Sequence, residues 1–172
     1  MALLAEEIVE EWLNRQGYFT IRGIKLGVHE IDLLAMRVAA PNLICRHFEV
    51  QASIRPISYL CPLAKSTQRS TGRAPASAKE RTSEEMQLSV DEWVRLKFLH
   101  EKKKHLRTAL CSGPWSFELV VHKLRHPEEL QRIADRGVRV HHLSQIVREL
   151  SSSGFLIQSA AGADLIDLLK LD

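Results

Sequence analysis

The residues best suited to chemistry stand in His29-Glu30-Ile31-Asp32-Leu33-Leu34-Ala35 and, after a short polar break, in Arg46-His47-Phe48-Glu49-Val50-Gln51-Ala52-Ser53. Both runs read as strands, and side chains at i and i+2 of a strand share a face. Glu49 and Gln51 therefore point one way while Phe48 and Val50 point into the opposite layer. A turn near Ala39-Ala40-Pro41-Asn42 pairs the two strands as a hairpin and brings Asp32 close to Glu49. Two neighbouring carboxylates repel, and a shared proton or a bound cation relieves them. Oxygen-only ligation suits Mg²⁺ or Mn²⁺ rather than zinc.

These strands must be held by what precedes them. Leu4, Ile8 and Trp12 recur at helical spacing with Ala5, Val9 and Leu13 beside them, so one stripe of an N-terminal helix is apolar and Glu7, Glu10, Glu11 and Asn14 lie mostly off it. Gly17 ends this helix as a C-cap. Glu6 falls near the edge of the buried stripe. Glu30 shares a strand face with Asp32 and reads as a neighbour rather than a principal.

The order of parts, an acidic amphipathic helix, a Gly-aromatic turn, a strand, "E-I-D-L-L-A" and a strand ending "F-E-V-Q", resembles the PD-(D/E)XK superfamily, the restriction-endonuclease-like fold. It looks most like the small members related to Holliday-junction resolvases. The resemblance is good over residues 3–53 and loose thereafter. It implies an α/β fold with an αβββαβ core, a mixed central sheet flanked by helices, and metal-dependent hydrolysis of DNA phosphodiester bonds. On it, Asp32 and Glu49 are the metal-binding carboxylates, the Val50 carbonyl is a neutral ligand, and Gln51 stands where most members carry a catalytic lysine. Glu6 aligns with an acid that often reaches the metal site; the plainer reading is a surface charge favoured by the helix N-terminus. Some restriction endonucleases of the superfamily carry Glu-x-Gln, so Gln51 does not by itself mean loss of activity. A glutamine offers only a dipole, and losing one preorganised donor costs on the order of 10²–10³ in rate. Either the enzyme is slow or the missing charge comes from elsewhere, and Lys97, on the helix after these strands, is the first candidate. The alternative is a catalytically weakened nucleic-acid- or protein-binding member of the same fold; a small interaction module with no nucleic acid is a third reading.

From Arg55 to Arg81 the chain carries Arg55, Lys65, Arg69, Arg73, Lys79 and Arg81 against Glu80 alone, amid Ser, Thr, Gly and Pro. Such a stretch has little apolar surface to bury, and residues 55–89 are expected to be a basic, mobile loop. It is either an arm that grips phosphates beside the site, through Arg55, Lys65, Arg69, Arg73 and Arg81 together with Lys97, or a solvated linker. Val90 to Leu110 then reads as one helix, whose Lys102, Lys103, Lys104 and Arg107 suit its C-terminal dipole and solubility. Residues 115–122 alternate as a strand, Pro127 starts a helix to Arg136, Val138–His142 is a strand and Ser144–Leu150 a short helix. His141 and His142 face opposite ways, and His122 and His126 read as structural or exposed. Residues 151–172 form a tail with a short helix.

The chain of 172 residues, 45% of them hydrophobic, suits one compact domain over residues 1–150. Neither a membrane span nor a signal pattern is present, so a cytoplasmic protein is expected. Cys45, Cys61 and Cys111 have neither zinc nor disulfide spacing. A net charge of +3 is too mild to mark a nucleic-acid binder by itself. No Gly-rich phosphate loop, serine-nucleophile elbow or zinc-protease helix supports another enzyme class. Members of the superfamily often act as dimers, so a homodimer is an open expectation.

Overall fold

The chain begins with helix α1 (Ala2–Arg15) and three strands, β1 (Phe19–Leu26), β2 (His29–Ala39) and β3 (Asn42–Gln51), in a computed structural model that describes residues 2–53, 55–152 and 154–157. Three helices follow, α2 (Lys65–Thr71), α3 (Ser83–Lys97) and α4 (Glu101–Leu110), then β4 (Trp115–Val121), α5 (Pro127–Ala134), β5 (Val138–His142) and α6 (Leu143–Leu150). The strands lie in chain order in a single sheet. β1, β2 and β3 are antiparallel because short turns join them, whereas β3, β4 and β5 run parallel because helices carry the chain back between them. The fold is α/β, a mixed sheet flanked by helices, and helix, three strands, helices and strand follow in the expected αβββαβ order.

Each face of the sheet has its own core. On one face Leu33, Ala35, Phe48, Val50 and Val120 pack against Ile8, Val9, Trp12 and Leu13 of α1 and Ile146 and Leu150 of α6. On the other, Leu119, Val121 and Val138 meet Val90, Trp93 and Val94 of α3, Phe98 and Ile133 of α5. Each Leu, Ile, Val or Phe among these contributes about 1.5–3 kcal/mol on full burial. Because Phe48 and Val50 are committed to the α1 layer, strand alternation turns His47, Glu49 and Gln51 toward α3 and α4. Gly17, at φ +82°, ends α1 as expected, with its amide donating to the Asn14 carbonyl. Within α1, Leu4 is exposed, whereas Glu11 is buried and bonded to Arg15 at 2.6 Å, so the acidic flank is not wholly solvated.

Two expectations are corrected. Residues 55–89 are not an unstructured loop: Leu60, Cys61, Leu63 and Ala64 are buried, α2 occupies part of the stretch, and the Leu60 and Cys61 amides donate to the buried Glu129 carboxylate at 2.7 and 2.9 Å. Val90 to Leu110 is not one helix. A capping box of Thr82 and Glu85 starts α3 at Ser83. The helix then stops at Lys97, and His100 accepts from the Lys102 amide to begin α4. This break swings Lys103 and Arg107 inward, where both are buried. The short helix expected in the tail falls in residues outside the described ones.

Candidate active site

The β2–β3 ladder closes at Leu33↔Phe48. The Val50 amide, the next donor of β3 to face β2, is taken by Asp32 Oδ2 at 2.7 Å, so a side chain replaces the ladder as the strands part. The N–H and C=O of one strand residue lie on the same side, which turns the Val50 carbonyl toward β2 as well. On its other flank the β1–β2 pairing passes from Arg22↔Leu33 to Ile24↔Ile31, skipping Gly23 and Asp32. Gly23 has φ +66°, and a Cβ there would meet nothing within 4 Å, so glycine is required by backbone conformation rather than by space. Asp32 thus sits where the sheet is interrupted on both sides.

Glu49 is fully buried on the adjoining strand. Its Oε2 accepts from Lys97 Nζ at 2.7 Å, and its Oε1 accepts from Lys103 Nζ at 2.7 Å and lies 3.2 Å from His47 Nε2. Lys103 also donates to the Lys97 carbonyl at 2.8 Å, bonding the end of α3 to α4. Arg107 donates to the Phe98 carbonyl at 2.7 Å and lies 2.9 Å from His47 Nδ1. A guanidinium only donates, so Nδ1 must be the acceptor and the His47 proton sits on Nε2, aimed at Glu49.

These contacts set the charges. Burial opposes ionisation of Glu49, but His47, Lys97 and Lys103 outweigh it and hold its pKa at about 2. Burial pushes His47 down to about 4, leaving it neutral near pH 7. For Lys97, burial disfavours the ammonium but the Glu49 charge prevails, and its pKa rises. Burial lowers that of Lys103 despite Glu49. Asp32 behaves oppositely to Glu49. Burial and the Glu49 charge raise it to about 7, offset only in part by the Val50 amide and Lys97.

Of the residues expected from sequence, Asp32, Glu49, the Val50 backbone and Lys97 meet here. Gln51 lies one alternation beyond Glu49 and lines the neighbouring groove with Lys97. Among the described residues, Glu6, half-buried on α1, has no hydrogen bond or ion pair with them; burial raises its pKa, Arg22 opposes, and Glu30 and Glu49 add to the rise. Arg55, Lys65 and Arg69 are exposed. Two of the residues expected to contact phosphate have partners within the chain. Arg81 is buried, donates to the Cys61 carbonyl at 2.9 Å and lies over the Tyr59 ring at 3.9 Å. Arg73 bonds to Glu85 at 2.8 Å and to the Lys79 carbonyl at 2.8 Å. Sequence alone does not mark His47, Lys103 and Arg107 for the site. Lys103 and Arg107 are four apart, one turn of helix, and share a face with Leu106 and Leu110; that spacing was the available signal.

A divalent cation is implied by the resemblance, and the donors can be tested against it. Among the described residues no group of three or more His, Cys, Asp or Glu side chains could hold a metal ion. The available donors are the Asp32 and Glu49 carboxylates and the Val50 carbonyl, all hard oxygens of the kind Mg²⁺ prefers. Burial, and after it the Glu49 charge, raise the Asp32 pKa, and a cation would relieve the second of these. Glu49 can contribute once Lys97 releases Oε2; that side chain is 28% exposed and has a long stem. The donor chemistry therefore fits on that condition. A second buried carboxylate, Glu118, lies elsewhere on the sheet and is matched by Arg46 at 3.1 Å, His141 at 2.6 Å and Ser116 at 2.7 Å.

No protein-family model matches the chain, and no curated protein is similar to it. One solved structure, the crystal structure of protein of unknown function AF1548, is similar at 12% identity and a TM-score of 0.44. The likeness covers 84% of this chain and 59% of that one.

Proposed function

We propose that this chain is a metal-dependent, endonuclease-like protein that hydrolyses DNA phosphodiester bonds with Mg²⁺ or Mn²⁺, acting in the cytoplasm. The observation that supports this reading best is the convergence of Asp32, Glu49 and the Lys97 ammonium where β2 and β3 part. A bound cation would lower the pKa of a water and stabilise charge on the phosphate. Asp32, Glu49 and the Val50 carbonyl would hold it. Lys97 takes the part that Gln51 cannot, presenting an ammonium beside the reacting phosphate, and Lys103 keeps Glu49 ionised when Lys97 turns away. His47 orients Glu49 through its Nε2 proton. Among the described residues no helix is long and apolar enough to cross a membrane.

The second reading, a catalytically weakened nucleic-acid- or protein-binding member, is favoured by a specific feature: both oxygens of Glu49 are engaged by ammonium groups. An internal cation can stand in for a metal, leaving the fold without the chemistry. Cleavage of labelled duplex, branched and single-stranded DNA with Mg²⁺ or Mn²⁺ separates the two. Cutting that is lost in Asp32→Ala, Glu49→Ala and Lys97→Met supports the nuclease. Salt-dependent DNA binding with no cutting, unchanged by Asp32→Ala, rejects it in favour of the binding protein.

A further inference from the structure

Beside the carboxylates a groove of about 520 Å³ opens between α3, α2 and the segment before α2. Its walls are mainly apolar, from Leu60, Leu63, Trp93 and Leu96, and its lining also carries two lysines, Lys65 on α2 and Lys97, which is bonded to Glu49, against one carboxylate, Glu92. The Gln51 amide also lines it. This size is that of a small-molecule site, and apolar walls with a few polar groups are what such sites use. A paired duplex presents ridged phosphates to a protein and keeps its bases stacked within, so it leaves an apolar hollow unfilled. An unpaired nucleotide presents both an apolar base face and an anionic phosphate.

We propose that the groove receives the base of one unpaired nucleotide, with the phosphate attached to it lying toward Lys97 and Asp32. This rests on the nuclease reading and gives it a substrate class, DNA that is single-stranded or locally unpaired at the cleaved position. Charge complementarity supports this occupant: Lys65 and Lys97 outnumber the single lining carboxylate, Glu92, and Lys97 also bonds the candidate catalytic carboxylate. The Gln51 amide, in the place of a catalytic lysine, serves the base rather than the phosphate. The identity of residue 51 and the source of the cation are then parts of one arrangement.

The test uses the full chain and three labelled DNAs of one sequence: blunt duplex, single strand, and duplex with one bulged thymine. Binding is measured with Ca²⁺ and cleavage with Mg²⁺ or Mn²⁺, for wild type, Leu96→Trp, which fills the groove, and Leu96→Val, a milder change at the same site. The expected result is binding of the single-stranded and bulged DNAs at least about tenfold tighter than the duplex, a preference removed by Leu96→Trp and kept by Leu96→Val. Equal binding of all three DNAs, or a preference that survives a folded Leu96→Trp, overturns the proposal, even if metal-dependent cleavage is seen and the nuclease reading stands. A preference without any cleavage keeps the groove assignment and removes the nuclease reading. Absence of binding to every DNA overturns both.

Discussion

Lys97 Nζ lies 2.7 Å from Glu49 Oε2, so the cation beside the candidate catalytic carboxylate comes from the end of α3 and not from the strand position that Gln51 occupies. The nuclease reading makes Lys97 the larger contributor. Lys97→Met is expected to reduce single-turnover cleavage by about 10²-fold or more, and Gln51→Ala by much less. Cleavage by Lys97→Met at the wild-type rate would remove Lys97 from the chemistry.

Lys103 is buried and bonds both Glu49 and the Lys97 carbonyl. Removing one partner of a buried pair costs about 3–5 kcal/mol, since the other charge stays behind. Lys103→Met should lower stability on that scale in urea unfolding. The double variant Lys103→Met with Glu49→Gln should recover part of the loss, and strictly additive losses would contradict the coupling.

Asp32 supplies a pH test. Its pKa is raised to about 7, chiefly by burial and then by Glu49. A carboxyl whose folded pKa is raised contributes stability that is complete below its unfolded value and is lost as pH rises through the folded value. Asp32→Asn escapes that loss. Between about pH 5 and pH 8 the stability difference should therefore move in favour of the Asn variant by about 1–3 kcal/mol. Mg²⁺ added above neutrality should stabilise wild type more than Asp32→Asn. A difference that moves the other way in a pH series of unfolding curves would show that Asp32 is not the strained carboxyl.

Gly23 holds φ +66° opposite Asp32. With open space around it, Gly23→Ala should cost only the backbone term, about 1–2 kcal/mol. The change should also shift the Asp32 and Val50 amide resonances. A heteronuclear spectrum with those signals unmoved would separate Gly23 from the placement of Asp32.

Arg81 and Arg69 should behave differently although both lie in the basic stretch. Arg81→Met breaks a buried bond to the Cys61 carbonyl and is expected to cost about 1–3 kcal/mol of stability. Arg69→Ala, at an exposed position, should leave the unfolding midpoint alone and reduce the salt slope of DNA binding. A salt slope changed equally by two stably folded variants would return Arg81 to the phosphate-contacting set.

Local pattern was sufficient wherever side-chain direction follows from chain geometry. Alternation along β3 placed His47, Glu49 and Gln51 on one face and Phe48 and Val50 on the other, and the turn after Ala39 put Asp32 beside them. Helical spacing identified Ile8, Trp12 and Leu13 as core, and Gly17 as the stop. Lys97 could be named because it follows the strands on a helix, but its reach to Glu49 depends on how the crossover packs. The same holds for the break at residues 98–100, which aims Lys103 and Arg107 into the core of the site. A lysine in a polar run reads as solvated until a distant carboxylate offers a partner strong enough to offset its desolvation. Arg81 illustrates the converse: the composition around it suggests a solvated arm, and its burial comes from direct contact with the Tyr59 ring and the Cys61 carbonyl, some twenty positions earlier in the chain. Pattern along the chain determined which groups face the site, because strand and helix periods are properties of the backbone. Long-range packing decided which charges they meet, because ion pairs between Glu49 and residues some fifty positions onward leave no mark on local sequence.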